Sequence, residues 1–261
     1  MRALLLGDVI GRAGRTALRR HLRRIREEHE VCFVAANAEN SAGGFGVTRE
    51  CGEEMLSAGA DCLTSGNHVW DNKDGIPYLN QESRLIRPAN YPGTAPGSGV
   101  FLGTTAEGVR VAVLNLMGRV YMGSLDCPFR KADSILEELR GRADVILVDM
   151  HAEVTSEKGA MGCYLDGRVA AVYGTHTHIP TADERVLPGG TAFITDVGMT
   201  GPYDSVIGCS KGAVIERFLT QRPVRFSPAE SDVWLCGALV DVDESTGKAR
   251  AITRLQVRDV G

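Results

Sequence analysis

Short apolar runs alternate with amphipathic stretches along most of this 261-residue chain. Residues 3–6 (ALLL), 31–36 (VCFVAA), 61–64 (DCLT), 143–149 (ADVILVD), 169–173 (VAAVY) and 193–195 (FIT) have the length and apolar character of buried strands. Residues 14–28 set Leu18, Leu22 and Ile25 on one helical face. Residues 48–57, 130–140 and 211–219 also read as helices, with Thr48 placed to cap the first of them. Two hairpins are expected. Residues 100–104 and 109–116 flank Ala106-Glu107-Gly108, and residues 233–243 and 248–257 flank Glu244-Ser245-Thr246-Gly247. Strands alternating with helices predict a layered α/β fold, and the hairpins predict mixed rather than purely parallel sheets.

Composition changes this picture little. Apolar residues make up 43% and charged residues 24%, which is ordinary for a globular chain. A net charge of −4 gives no reason to expect bulk nucleic-acid or membrane binding. The first apolar run is too short for a signal-peptide core, and no run reaches the roughly 20 apolar residues of a membrane span. A cytoplasmic location is therefore expected. The seven cysteines show no C-x-x-C spacing, so reduced thiols are expected, with Cys32, Cys62 and Cys236 acting as small apolar side chains.

The chemistry sits just after the strands. Asp8 follows the first run, Glu39 and Asn40 the second, and Asn67 and His68 the third. His151 follows residues 143–149, and His176 and His178 follow residues 169–173. Functional groups in open α/β sheets gather beyond the carboxyl ends of the strands. Parallel strands would bring all of these to one sheet edge. The set reaches across the Pro- and Gly-rich residues 87–98, which argues for one domain over residues 1–261 rather than two.

That cluster holds too many ligand-type side chains for one tetrahedral zinc. It suits two ions sharing a carboxylate, and imidazole, carboxylate and amide oxygens together suit iron, manganese or zinc. In an extended segment, residues i and i+2 face the same side, so His176 and His178 would point into one pocket with backbones roughly 6–7 Å apart.

Gly7-Asp8, Gly66-Asn67-His68, a lone His151 and the GTHTH of residues 174–178 follow the order of the calcineurin-like metallophosphoesterases. Together with GDVIG, AENSAGGFG, GNHVWD, RPANYP, TSEK and TDVGMTGPYDS, nearly the whole chain resembles the bacterial YmdB-like branch of that superfamily. The resemblance implies an α/β/β/α sandwich. It also implies a phosphodiesterase acting on cyclic nucleotides, 2',3'-cyclic and in some cases 3',5'-cyclic, with two divalent or mixed-valence ions, iron or manganese. Glu39 would bridge both ions, Asp8 and His178 would bind the first, and Asn67, His151 and His176 the second. A hydroxide between the ions would attack phosphorus, and His68 would protonate the leaving oxygen. The wider superfamily opens with D-x-H and bridges with Asp. This chain has Asp8-Val9-Ile10 and Glu39-Asn40, so Asn40 or water would complete the first ion.

Other residues carry plainer readings. His21 and His29 are expected as structural hydrogen-bonders. The glycines at 7, 11 and 14 fit no nucleotide-binding spacing. Residues 41–46 are expected as a flexible loop beside the metals. Arg15, Arg19, Arg20, Arg23, Arg24 and Arg26 on the first helix read as a solvated face, because no aromatic residue interleaves with them. Residues 155–158 and 195–205 are expected to rim the pocket, with Lys158, Arg119 or Arg12, unranked by the sequence, to meet a phosphate. Two other functions remain open: a phosphomonoesterase on the same site, and an RNA-binding regulator whose metals are structural. An exposed apolar hairpin edge would favour a homo-oligomer.

Overall fold

In β1 (Arg2–Val9) successive side chains face opposite sides of the strand, and the two sides enter different cores. Ala3 and Leu5 join Phe33, Ala35, Val113, Leu147 and Tyr173 in a core lying between two sheets. Leu4 and Leu6 join Leu18, Leu22, Ile25 and Met55 in a second core, beneath helices. A third core packs Leu114, Val148 and Val172 against Ala132, Ile135 and Met161 on the opposite side. The layers therefore run helix, sheet, sheet, helix. This is the sandwich that the resemblance implies. The computed structural model describes residues 1–260.

The first sheet contains β1, β2 (Phe33–Asn37), β3 (Cys62–Thr64), β10 (Met199–Pro202), β11 (Val233–Asp243) and β12 (Lys248–Arg258), in the order β12-β11-β10-β1-β2-β3. Strands β1, β2 and β3 are parallel, and β11 pairs antiparallel with both β1 and β12. The second sheet contains β4 (Val100–Thr104), β5 (Arg110–Met117), β6 (Val145–His151), β7 (Ala171–Thr175), β8 (Arg185–Val186) and β9 (Ala192–Ile194), in the order β4-β5-β6-β7-β9-β8. Its centre, β5 through β9, is parallel, and hairpin partners close its edges. Both expected hairpins are present.

Helices α1 (Gly11–Glu28) and α2 (Arg49–Ser57) cover the first sheet. Helices α4 (Pro128–Leu139) and α5 (Thr155–Tyr164) cover the second. Thr48 Oγ1 accepts from the Cys51 amide at 3.2 Å, as the capping expectation requires. Helix α3 (Gly75–Gln81) is short, and α6 (Lys211–Thr220) leaves Ile215, Phe218 and Leu219 exposed. The Pro- and Gly-rich stretch is tied down rather than loose. Buried Arg87 donates to the carbonyls of Pro88, Ala95 and Pro96.

All seven cysteines are free thiols; Cys62 and Cys236 are buried, and Cys32 is half-buried. Among the described residues, no helix is long and apolar enough to cross a membrane.

One expectation is corrected here. The five strands that carry the site do not share a sheet: β1, β2 and β3 belong to the first, β6 and β7 to the second. Their carboxyl ends still meet, because the sheets stack face to face through a common core.

Candidate functional site

Asp8 lies near the end of β1, fully buried. Its Oδ2 accepts the His176 amide at 3.0 Å, and its Oδ1 is 3.6 Å from His178 Nε2. His178 Nδ1 donates to the Ile207 carbonyl at 2.8 Å, which turns Nε2 towards Asp8 and towards Asn40 Nδ2 at 3.2 Å. Glu39 is also fully buried, two residues past β2. Its Oε2 accepts the His68 amide at 3.0 Å, and its Oε1 lies 3.0 Å from His151 Nε2. Asn67 Oδ1 lies 3.0 Å from the same nitrogen. The His151 and His176 rings are 4.8 Å apart, edge to face. Asp8, Glu39, Asn40, Asn67, His151, His176 and His178 thus form one connected cluster drawn from both sheets.

His151 is held from behind. Thr175 Oγ1 donates to Asp149 Oδ1 at 2.6 Å, so it accepts from His151 Nδ1 at 2.9 Å. Thr64 donates to the other Asp149 oxygen. This fixes Nε2 as the nitrogen that faces Glu39 and Asn67, in the way that groups behind a metal-binding histidine fix its tautomer. Asn37 plays a similar part, because its Oδ1 accepts the Glu39 amide at 3.0 Å. The sequence reading missed Asn37, Asp149 and Thr175. Their signal is polar side chains inside otherwise apolar strands.

The electrostatics follow from burial and closeness. Burial disfavours charge on Asp8, but neighbouring His178 outweighs it and holds the carboxyl far below its usual range. Burial would likewise neutralise His178, yet Asp8 raises it to about 9. Glu39 is lowered and His151 raised by each other, again against burial. His176 moves the other way, to about 4, through burial and the neighbouring His151. Asp149 rises to about 7 through burial.

Whether this donor set fits metal ions can be judged from its unsatisfied atoms. Asp8 Oδ1 and Glu39 Oε1 are buried without a hydrogen-bond partner among the described residues. Glu39, His151 and His176 each offer a ligand atom within 4.8 Å of the others. Carboxylate, amide and imidazole lone pairs converge where only a proton or a cation can reconcile them. The residues fit. Gly66 is part of the fit: a Cβ there would lie 2.1 Å from His151 Nε2 and 2.5 Å from Glu39 Oε2.

His68 stands outside the ligand cluster. Its Nδ1 lies 2.7 Å from Asp71 Oδ2, and Phe45 packs edge-on at 5.0 Å. His68, Glu39, Asn40, His176 and His178 open onto a cavity of about 690 Å³. Its far wall is apolar, formed by Ile207, Val214, Phe218, Phe226 and Pro228, with Arg217 and Gln221 at the edge. The sequence reading missed this wall, because no local pattern ties residues 206–228 to the strand ends.

Three expectations are corrected. His176 and His178 do not lie on an extended segment: β7 stops at Thr175, and their φ values are 91° and 64°. Both still face the cavity, because the chain turns there. Lys158 is no phosphate contact. It is fully buried in α5 and paired with Asp196 at 2.7 Å. Arg12 and Arg119 are exposed, and neither lines the cavity. Residues 155–158 and 195–205 do not rim it either. The first begin α5, and the second hold β10 and the buried Asp196 and Val197. Within residues 41–46, Gly44 and Phe45 do line it.

Residues 4–255 match the model of a family described as YmdB-like protein. A Bacillus subtilis (strain 168) protein described as a 2',3'-cyclic-nucleotide 2'-phosphodiesterase is 45% identical over 259 residues, covering 99% of this chain and 98% of its own. A crystal structure of a hypothetical protein from Thermus thermophilus superposes with a TM-score of 0.93 at 41% identity, covering 99% of this chain and 100% of that one. Another, described as a novel phosphatase from Mycoplasma pneumoniae, gives 0.92 at 32% identity, covering 99% and 93%.

Proposed function

The chain belongs to the YmdB-like family, and we propose that it is a metal-dependent phosphodiesterase of 2',3'-cyclic nucleotides, with the whole chain forming one catalytic domain. The observation that carries the metal part is the pair of buried carboxylate oxygens, Asp8 Oδ1 and Glu39 Oε1, that accept no hydrogen bond and lie close to the imidazoles of His178 and His151. The 45% identity to the Bacillus subtilis enzyme over nearly both full lengths supports the substrate.

In this reading Asp8, Glu39, Asn40, Asn67, His151, His176 and His178 are the residues that would hold two ions. Iron or manganese suits this mixture of ligands. The chemistry such ions would supply there is neutralisation of phosphodiester charge and activation of water at neutral pH. His68 supplies the proton that the leaving ribose oxygen needs as the P–O bond breaks. Asp71 takes the Nδ1 hydrogen, which leaves Nε2 to carry that proton. The cavity lies in the usual size range for small-molecule sites, and its apolar wall offers Phe218 and Phe226 to a base.

The test is a pair of variants. His151→Ala is expected to lose one ion per chain by elemental analysis. His68→Ala is expected to keep its metal while losing about 10²–10⁴-fold in turnover of a 2',3'-cyclic nucleotide. Unchanged metal in the first, or wild-type turnover in the second, would remove that residue from its role.

A further inference from the structure

Lys158 and Asp196 form an ion pair with no exposed side-chain surface at all. A pair this deep is a poor source of stability, because desolvation offsets its attraction. Its surroundings point to another job. Lys158 Nζ also donates to Thr177 Oγ1 at 2.9 Å. Asp196 Oδ2 accepts both the Thr177 hydroxyl at 2.5 Å and the Thr177 amide at 3.2 Å. Its Oδ1 accepts the Gly198 amide at 2.7 Å. Thr177 is the residue between His176 and His178, whose backbones are both left-handed. Side chains with a Cβ hold that conformation only where the surroundings over-determine it. The stem of Lys158 reaches Thr177 by passing Gly174, where a Cβ would lie 2.8 Å from Lys158 Cδ.

We propose that the Lys158–Asp196 pair is a positioning clamp: by gripping Thr177 from beneath, it holds His176 and His178 in their left-handed turn, aimed at the Asp8–Glu39 cluster before any ion arrives. The proposal rests on the reading of these histidines as ligands. It gives a purpose to Lys158 and Asp196, neither of which lines the cavity. The Asp8 carboxylate pins the same turn from the other side through the His176 amide. The turn is thus held at adjacent backbone amides by carboxylates from two different strand ends.

The double variant Lys158→Met with Asp196→Asn removes both charges and keeps an amide oxygen for Gly198. It is read in two ways: manganese affinity by equilibrium dialysis, and the His176 and His178 imidazole resonances of the metal-free protein by NMR. Folded double variant is expected to bind manganese about 10–100-fold more weakly and to show broadened or shifted resonances for both histidines. Thr177→Val tests the clamp with the ion pair left in place, and decides the matter if the double variant does not fold. It is expected to weaken binding in the same direction, and Thr177→Ser, which restores the hydroxyl, to recover it. Wild-type affinity and wild-type metal-free resonances in the folded double variant, or in Thr177→Val, would overturn the clamp. The metal-free spectra keep this test separate from the proposed activity. A wild-type protein that binds no ion would refute the phosphodiesterase reading, while those spectra would still judge the clamp.

Discussion

His176 and His178 each hold a backbone conformation that costs a residue with a Cβ about 1–3 kcal/mol. A fold keeps such strain where it has a use, and here it sets His178 Nε2 3.6 Å from Asp8 and a ring nitrogen of His176 within 4.8 Å of ligand atoms of Glu39 and His151, while His176 Nε2 pairs with Glu153 at 3.0 Å. Gly66 is a second point where the site dictates the residue. Gly66→Ala is expected to lose ion binding while the chain stays folded, since its methyl would overlap His151 Nε2 and Glu39 Oε2. Circular dichroism beside elemental analysis checks both halves, and wild-type metal content would contradict it. At this scale the sequence was informative about which residues meet and poor about how. Ligand-type side chains after five apolar runs revealed the cluster. The left-handed turn was not legible, because it depends on Asp8 and Asp196 accepting the amides of residues 176 and 177 from distant strands.

The elements explain why the cluster assembles. Parallel strands leave their carboxyl ends together, and stacking two sheets brings β1, β2 and β3 against β6 and β7. Helix α6 supplies part of the cavity wall with Val214, Arg217 and Phe218. Phe218→Ala is expected to raise KM for a 2',3'-cyclic nucleotide by about 5- to 150-fold, from the loss of about 1–3 kcal/mol of base stacking, and to leave a diester lacking a base unaffected. Equal effects on both substrates would remove Phe218 from base contact. Thr48→Ala is expected to lower stability by about 1 kcal/mol in urea unfolding, through the lost cap on α2. An unchanged midpoint would show that the cap contributes nothing.

The strands and long helices were legible from periodicity, whereas α5, α3 and β10 were not. Helix α5 contains two glycines, and Gly162 is there because a Cβ would lie 2.4 Å from Phe193, so packing overrode propensity. Strand β10 contains Gly201 and Pro202, which read as a loop until its parallel pairing with β1 at Asp8 and Val9 is seen.

For the whole molecule, charge separates the competing functions. Six of the seven arginines on α1 pair with a carboxylate of this chain: Arg15 and Arg19 with Glu54, Arg20 with Asp259, Arg23 with Glu27, Arg24 with Glu28 and Arg26 with Asp61. Surface pairs of this kind add little stability, but they occupy the cations that a phosphate backbone would need. This supports the solvated-face reading over an RNA-contacting surface. The central claim concerns the buried cluster where the two sheets meet, and one measurement tests it most directly. Protein purified without chelators or a metal-affinity tag is analysed for metal, and the same sample is assayed on a 2',3'-cyclic nucleotide with manganese or iron. About two ions per chain, with turnover that a chelator abolishes, is the result predicted. A chain that binds no ion and turns over no cyclic nucleotide with either metal would contradict it.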